Sequence, residues 1–386
     1  MVGRISFKFN DPPWMPPGQF SQPLIGLHHF GDWTLNVGWA MHENCYNLSN
    51  LSCQQPPVGN WILRIFGIVN TNYGYAYIAW TLIAILLYIQ LIKKLSSDFS
   101  FLQKIVIFFF IVIFTSGNII SLDRGSLHFM AFALLGMAIV NYEDDKKLNS
   151  LIYLTLAVSL KPQLLLATIY LLKNRQIRPF LFSISVPIAS NLIFMLTFPG
   201  QYFSNLQGYL LASNGYVSSR EAFGNIMNSV SIVGIISRVV EFLQGWDTSD
   251  LLSKFSTKLF VPGLLYLIII VLAILSQRIS DRTKLVCALS TISLVVPSSG
   301  GYLLGWAATM IFALFYNKNL LQFEKYRIDK LLFMALILII STPGFIIVDD
   351  VPGFSRHVGL IFLLPVIVLA LVISELVFDI RENIQN

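Results

Sequence analysis

Charge is scarce in this chain. Asp, Glu, Lys and Arg make up 12% of its 386 residues, about half the share found in ordinary soluble domains. A soluble fold of this length could bury a large core, but it would still need a charged coat, and there is too little charge to make one. Apolar residues reach 55% and mean hydropathy is +0.68, so lipid is the natural solvent for the excess. Cysteine is also scarce, at three residues, and neither a CxxC pair nor the Cys/His spacing of a zinc site occurs. Cys287 lies in an apolar run and reads as an inert core thiol. Cys45 and Cys53 share one polar segment; in an oxidising compartment they could close a small loop, but only geometry can decide that. There is no P-loop and no GxGxxG, so no recognisable route to ATP or NAD. A DxD motif of the kind that holds a divalent ion and a nucleotide sugar is missing as well. So is the basic stripe interleaved with aromatics that a nucleic-acid partner would need. The excess of 26 Lys and Arg over 20 Asp and Glu reads instead as the positive-inside bias of membrane proteins.

What is there is a series of long apolar runs. A bilayer-spanning helix needs about 20 mostly apolar residues, and candidate spans fall at 75–92, 105–121, 126–142, 179–199, 259–277, 284–300, 302–317, 331–348 and 357–379. The run 149–172 is interrupted at its centre by Lys161-Pro162. Proline cannot continue the helical ladder and a lysine is costly in lipid, so this run reads as two half-helices meeting at a break. Such a break must face protein or a wet cavity. The expected fold is an all-α polytopic membrane protein with about 9–11 transmembrane segments.

Basic clusters set the orientation. Lys93, Lys94 and Lys104 form one; Lys146 and Lys147, then Lys173, Arg175 and Arg178, form others; Arg278, Arg282 and Lys284 follow, then Lys318, Lys325, Arg327 and Lys330, with Arg381 last. These should be cytoplasmic. The hairpin 149–172 then begins and ends on that side, and the other spans alternate. Four regions follow: an extracytoplasmic segment 1–74, a bundle 75–199 that includes the hairpin, an extracytoplasmic loop 200–258, and a bundle 259–386. Amphipathic stretches at 61–66 and 232–243 suit the membrane interface or simple loop packing. Residues 1–74 contain neither a span nor a signal peptide. An additional helix ahead of them is therefore expected, unless the 75–92 span carries the tail across. Asn47 and Asn50 open N-glycosylation sequons.

Three stretches resemble the glycosyltransferase 87 family, which are polyprenyl-phosphate-sugar-dependent membrane enzymes of the GT-C superfamily. The most specific is NIISLDRGSLHFMAFALLGMAIVNYEDDKKLNSLIYLTLAVSLKPQLLLATIYLLK, residues 118–173. It combines a polar Arg-Gly turn, a small-residue helix, a charged turn and a Leu-Lys-Pro break. The segment HHFGDWTLNVGWAMHENCYNLSNLSCQQPPVGNWIL is similar to the family's first external loop, and FGNIMNSVSIVGIISRVV to an Asn-x-Ser stretch of its central loop. The family normally has a helix before the Asp loop, and none is seen here.

The resemblance implies transfer of a hexose or pentose, with mannose favoured, to a lipid or glycan acceptor outside a bacterial plasma membrane. No cofactor beyond the activated lipid donor is implied, and membrane lipids are the other partners. Such chemistry needs a carboxylate to take the proton of the attacking hydroxyl. It also needs cations to neutralise the departing lipid phosphate. The superfamily places its catalytic carboxylate in the first external loop, where Asp32 stands with His28 and His29 nearby. A plainer role for Asp32 is the N-cap of a helix over 34–41. Glu43 reads as a solvated charge, and Asp349 and Asp350 as loop-shaping residues. For the phosphate, Lys161 at the break stands out, because an intramembrane lysine is a functional residue by default; its plain alternative is a paired or snorkelling lysine. Arg124, before Gly125 at a helix start, suits an anion, and so does Arg356; either could equally anchor a span at the interface. His128, four residues after Arg124, and His357 are accessory candidates, as are Asn225 and Asn228 for sugar or acceptor hydroxyls. The rival reading is a lipid-linked-saccharide transporter or flippase, whose substrate path would also use a broken helix.

Overall fold

In the computed structural model the described residues are 31–42, 45–46, 55–69, 73–95, 99–115, 117–118, 121–122, 125–175, 177–218, 231–236, 260–296, 304–316, 327–341 and 363–385. The main elements among them are all helical. They are α1 (Gly31–Met41), α2 (Pro57–Val69), α3 (Tyr73–Lys93) and α4 (Phe101–Phe109), which runs into a π turn (Phe110–Phe114). Then come α5 (His128–Glu143), α6 (Lys147–Leu160), a 3-10 helix (Pro162–Asn174), α7 (Ile177–Met195) and α8 (Tyr202–Ser218). The chain closes with α9 (Phe260–Leu275), α10 (Asp281–Leu294), α11 (Trp306–Tyr316), α12 (Arg327–Ser341) and α13 (Leu363–Gln385).

Local sequence explains several boundaries. Ser100 and Gln103 form a reciprocal capping box that starts α4, the S-x-x-Q pattern that satisfies two orphan amides. Ser280 caps α10 by accepting from the Thr283 amide. The break expected at Lys161-Pro162 is present. Lys161 is extended, with φ −144° and ψ 100°, the region to which a residue before proline is confined. Pro162 then opens the 3-10 helix, where its missing N–H costs nothing. The second limb is thus wound more tightly than the α-helical half expected from its apolar run, and 13 residues is long for a 3-10 segment.

The core is built around α5, α10 and α11. Two of these helices are shielded on all sides rather than on one stripe: α10 is buried from Arg282 to Leu294 and α11 from Trp306 to Leu314. Helix α10 can be buried while rich in Ser and Thr because those hydroxyls bond internally. Ser290 Oγ donates to Cys287 O at 2.7 Å and Thr291 Oγ1 to Ala288 O at 2.6 Å. Trp306 Nε1 reaches Ser293 Oγ at 3.0 Å and ties α11 to α10. Gly263 lets α9 approach the end of α10, since a Cβ there would stand 2.2 Å from Val295 O. In contrast α3, α7 and α9 present apolar side chains outward, among them Leu82, Leu86, Phe182, Ile193, Leu264 and Leu272. Two described helices, Tyr75–Lys93 and Ile177–Met195, are long and apolar enough to cross a membrane; the remaining apolar helices have 10–17 residues.

Charges gather at one end. Lys94 Nζ lies 3.1 Å from Asp144 and Lys146 Nζ 3.4 Å from it. Lys173 Nζ bridges Glu143 at 3.0 Å and Asp281 at 3.6 Å, and Arg282 pairs with Glu375 at 3.6 Å. Tyr316 donates to Asp144. The ends of α3, α5, α11 and the 3-10 helix, the starts of α6 and α10, and the later part of α13 therefore meet there. Lys94, Lys146, Lys173 and Arg282, from four of the basic clusters grouped on one side from the sequence, thus share one end. From that end α6 rises about 21 Å and the 3-10 helix returns about 26 Å, which puts Lys161 at the opposite end.

The candidate region 200–258 is not all loop: it contains α8, which the sequence reading did not anticipate. The amphipathic stretch at 61–66 is part of the longer α2. Of the stretch 232–243, residues 232–236 are helical and the rest lies outside the described residues.

Candidate active site

Helices α5 and α6 are antiparallel and extensively packed, so the first residue of α5 stands level with the last of α6. That first residue is His128, which is buried and close enough to Lys161 for the two to interact electrostatically. Two residues singled out independently from the sequence are thereby brought together. His128 Nδ1 lies 2.7 Å from Ser126 Oγ, and its ring stacks on Phe132 with centroids 6.1 Å apart. Lys161 is partly exposed; its amide donates to Ala157 O at 2.9 Å and its carbonyl accepts from Leu164 N at 3.0 Å. The N–H and C=O of Lys161 are therefore both satisfied without a continuous helix.

The turn before His128 is compact. Gly125 has φ 68°, a left-handed conformation suited to glycine. Ser126 N donates to Ser121 O at 2.8 Å and Gly125 N to Leu122 O at 3.4 Å. Arg124 itself, with Asp123, lies outside the described residues.

Asp32 is the second residue of α1. Asp32 is itself helical, so it is not the residue just ahead of a helix over 34–41, as the N-cap alternative required. The side chain of Asp32 lies outside the described residues. Its neighbour Trp33 is fully buried and fixes the start of α1, with ring centroids 5.8 Å from Phe66, 5.7 Å from Tyr77 and 5.2 Å from Trp80. Tyr77 Oη donates in turn to Leu122 O at 2.7 Å. A short path of contacts thus runs from the start of α1, through Trp33 and Tyr77, to the turn that ends at Ser126 and His128.

Helix α1 is held on α2 at both ends. Arg64 Nε donates to Ala40 O at 2.5 Å and its Nη2 to His42 O at 2.8 Å, satisfying carbonyls at the helix terminus. Gln55 Nε2 donates to Asn36 Oδ1 at 2.9 Å. Asn60 Nδ2 donates to Tyr46 Oη at 2.6 Å and to Gln55 O at 2.9 Å. Cys45, beside this buried polar cluster, is disulfide-bonded, while Cys287 is a free buried thiol as expected. Cys53 lies outside the described residues, as do His28, His29, Glu43, Asn225, Asn228, Asp349, Asp350, Arg356 and His357. No group of three or more potential metal ligands occurs among the described residues.

Sequence reasoning missed Tyr77, Ser126, Ser159 and Asn191, the polar side chains that join these parts. Each lies in or beside an apolar run, where one hydroxyl or amide changes the hydropathy too little to signal a junction.

Comparison with known proteins bears on this arrangement. No curated protein and no solved structure matches the chain. The family model for glycosyltransferase family 87 matches residues 55–299. That region holds the 121–128 turn, the break and the central loop, and it excludes Asp32 and Arg356. It covers more than half of the 386 residues, so the chain belongs to glycosyltransferase family 87.

Proposed function

We propose that this glycosyltransferase is a polytopic membrane enzyme that moves a sugar, mannose in the favoured case, from a polyprenyl phosphate to a lipid or glycan acceptor on the non-cytoplasmic side of a bacterial plasma membrane. The observation that carries the reading is the placement of Lys161 within electrostatic reach of His128, at the end of the hairpin opposite the charged turns. With those turns in the cytoplasm, Lys161 stands near the outer leaflet, where a lipid carrier presents its head group. The outward apolar faces of α3, α7 and α9 suit lipid and would be costly in water.

In this reading Lys161, Arg124 and Arg356 surround the lipid phosphate. As the glycosidic C–O bond to phosphate breaks, their charge stabilises the leaving anion. Asp32 accepts the proton of the acceptor hydroxyl while that oxygen bonds the anomeric carbon from the opposite face, inverting it. His28, His29, His128 and His357 are accessory groups, and Asn225 and Asn228 contact sugar or acceptor hydroxyls. No cofactor enters the step, because the donor is already activated.

The broken helix also favours a second reading, a flippase for lipid-linked saccharide. Purified protein in vesicles, given radiolabelled polyprenyl-phosphate mannose and a native lipid extract, separates the two. Label entering a new glycolipid supports transfer. Label that only changes leaflet supports the flippase and rejects the enzyme.

A further inference from the structure

The break is not held by its own hairpin alone. Asn191, near the end of α7, sits at a three-way junction. Its Nδ2 donates to Ser159 Oγ at 2.9 Å and to Pro187 O at 2.9 Å. Its Oδ1 accepts from the Val58 amide at 3.0 Å. Val58 is in the first turn of α2, where amides have no intrahelical acceptor, and Ser159 stands two residues before Lys161. The next residue of α2, Gly59, approaches so closely that a Cβ would lie 2.3 Å from Ser159 O. One carboxamide thus links α2, α6 and α7 at the point where α6 stops.

The consequence concerns Asp32. Helix α1 is bolted to α2 by Arg64, Gln55 and the Trp33–Phe66 contact. Whatever fixes α2 against the break also fixes the start of α1 against Lys161. We propose that Asn191 is a positioning residue: it sets the α1–α2 unit, and Asp32 with it, in register with the Lys161 break. This rests on the transferase reading above. Asn191 touches neither substrate nor reacting atoms in this scheme. Its loss displaces the base and leaves the phosphate-binding cations in place, so turnover should suffer rather than donor binding.

The test compares Asn191→Leu, Asn191→Asp and Ser159→Ala in vesicles, with kcat and donor KM referred to folded, monodisperse protein. Asn191→Leu should lower kcat by at least about tenfold with little change in donor KM. Asn191→Asp keeps the acceptor for the Val58 amide but loses the donor to Ser159 and Pro187, so it should recover only part of that loss. Ser159→Ala, which removes one bond only, should fall between Asn191→Leu and wild type. Nitroxides at the exposed Ile68 of α2 and Leu148 of α6 give a second readout: their distance distribution should shift in Asn191→Leu and return part of the way in Asn191→Asp. Wild-type kcat and an unmoved distance in Asn191→Leu would overturn the positioning role and leave the transferase reading intact. If Asn191→Leu does not fold, Ser159→Ala decides alone, and full turnover there overturns the proposal. A wild-type protein that transfers no sugar at all overturns both readings.

Discussion

Asp144 Oδ2 accepts Lys94 Nζ at 3.1 Å while its other oxygen accepts the Tyr316 hydroxyl. One carboxylate in the α5–α6 turn thereby gathers the ends of α3 and α11. It anchors the base of the hairpin whose far end carries Lys161.

Burial pushes the Asp144 carboxyl upward, but the hydrogen bonds from Tyr316 and Lys94 outweigh it and hold the group below its usual range. A depressed folded-state value means that the ionised form is favoured by folding. The stabilisation is therefore complete above the unfolded carboxylate range, near pH 4, and is lost as the pH falls through the lower folded value. Asp144→Asn should lower stability at pH 7 by about 1–2 kcal/mol. It should also remove part of the stability lost on acidification, as read by thermal unfolding in detergent across pH 2–7. An unchanged melting profile would separate this contact from the fold's stability.

Lys161 contributes a cation at the break. If it binds the lipid phosphate, Lys161→Met should weaken both donor and product polyprenyl phosphate. A charge-assisted contact is worth about 1.5–3 kcal/mol, which corresponds to roughly 10–100-fold in affinity. Calorimetry with a short-chain polyprenyl phosphate checks this. Equal affinity in wild type and variant would assign Lys161 to a structural pair instead.

The disulfide at Cys45 is consistent with the proposed non-cytoplasmic placement of the α1–α2 junction. A cysteine placed at the exposed His42, at the end of α1, should be labelled by a membrane-impermeant maleimide in intact cells without permeabilisation. Labelling that requires permeabilisation would reverse the sidedness on which the lipid-phosphate site depends.

How much was legible in the sequence follows physical lines. The break was legible because proline and a charged residue in an apolar run each violate a strong local rule, and both effects act within a few residues. The grouping of basic turns at one end was legible because charge is costly to place anywhere but outside a core. The electrostatic coupling of His128 with Lys161 was only half visible: each residue stood out alone, but their proximity depends on the antiparallel register of α5 and α6. The 3-10 winding of 162–174 was hidden, since apolar periodicity does not separate 3.0 from 3.6 residues per turn over so short a span. Helix α8 was overlooked because Tyr202–Ser218 mixes polar and apolar residues without a clear stripe. The Asn191 junction was invisible, because a carboxamide in a span reads the same whether it faces lipid, protein or nothing.

The central claim is that Asp32 takes the acceptor proton beside a cationic phosphate site, and single-turnover transfer by Asp32→Asn tests it most directly. Asparagine keeps the size of the side chain and the helix start but cannot serve as base. Sugar transfer from polyprenyl-phosphate mannose should fall by roughly 100–10,000-fold with donor affinity unchanged. Transfer at the wild-type rate, with the donor bound equally well, would contradict the account.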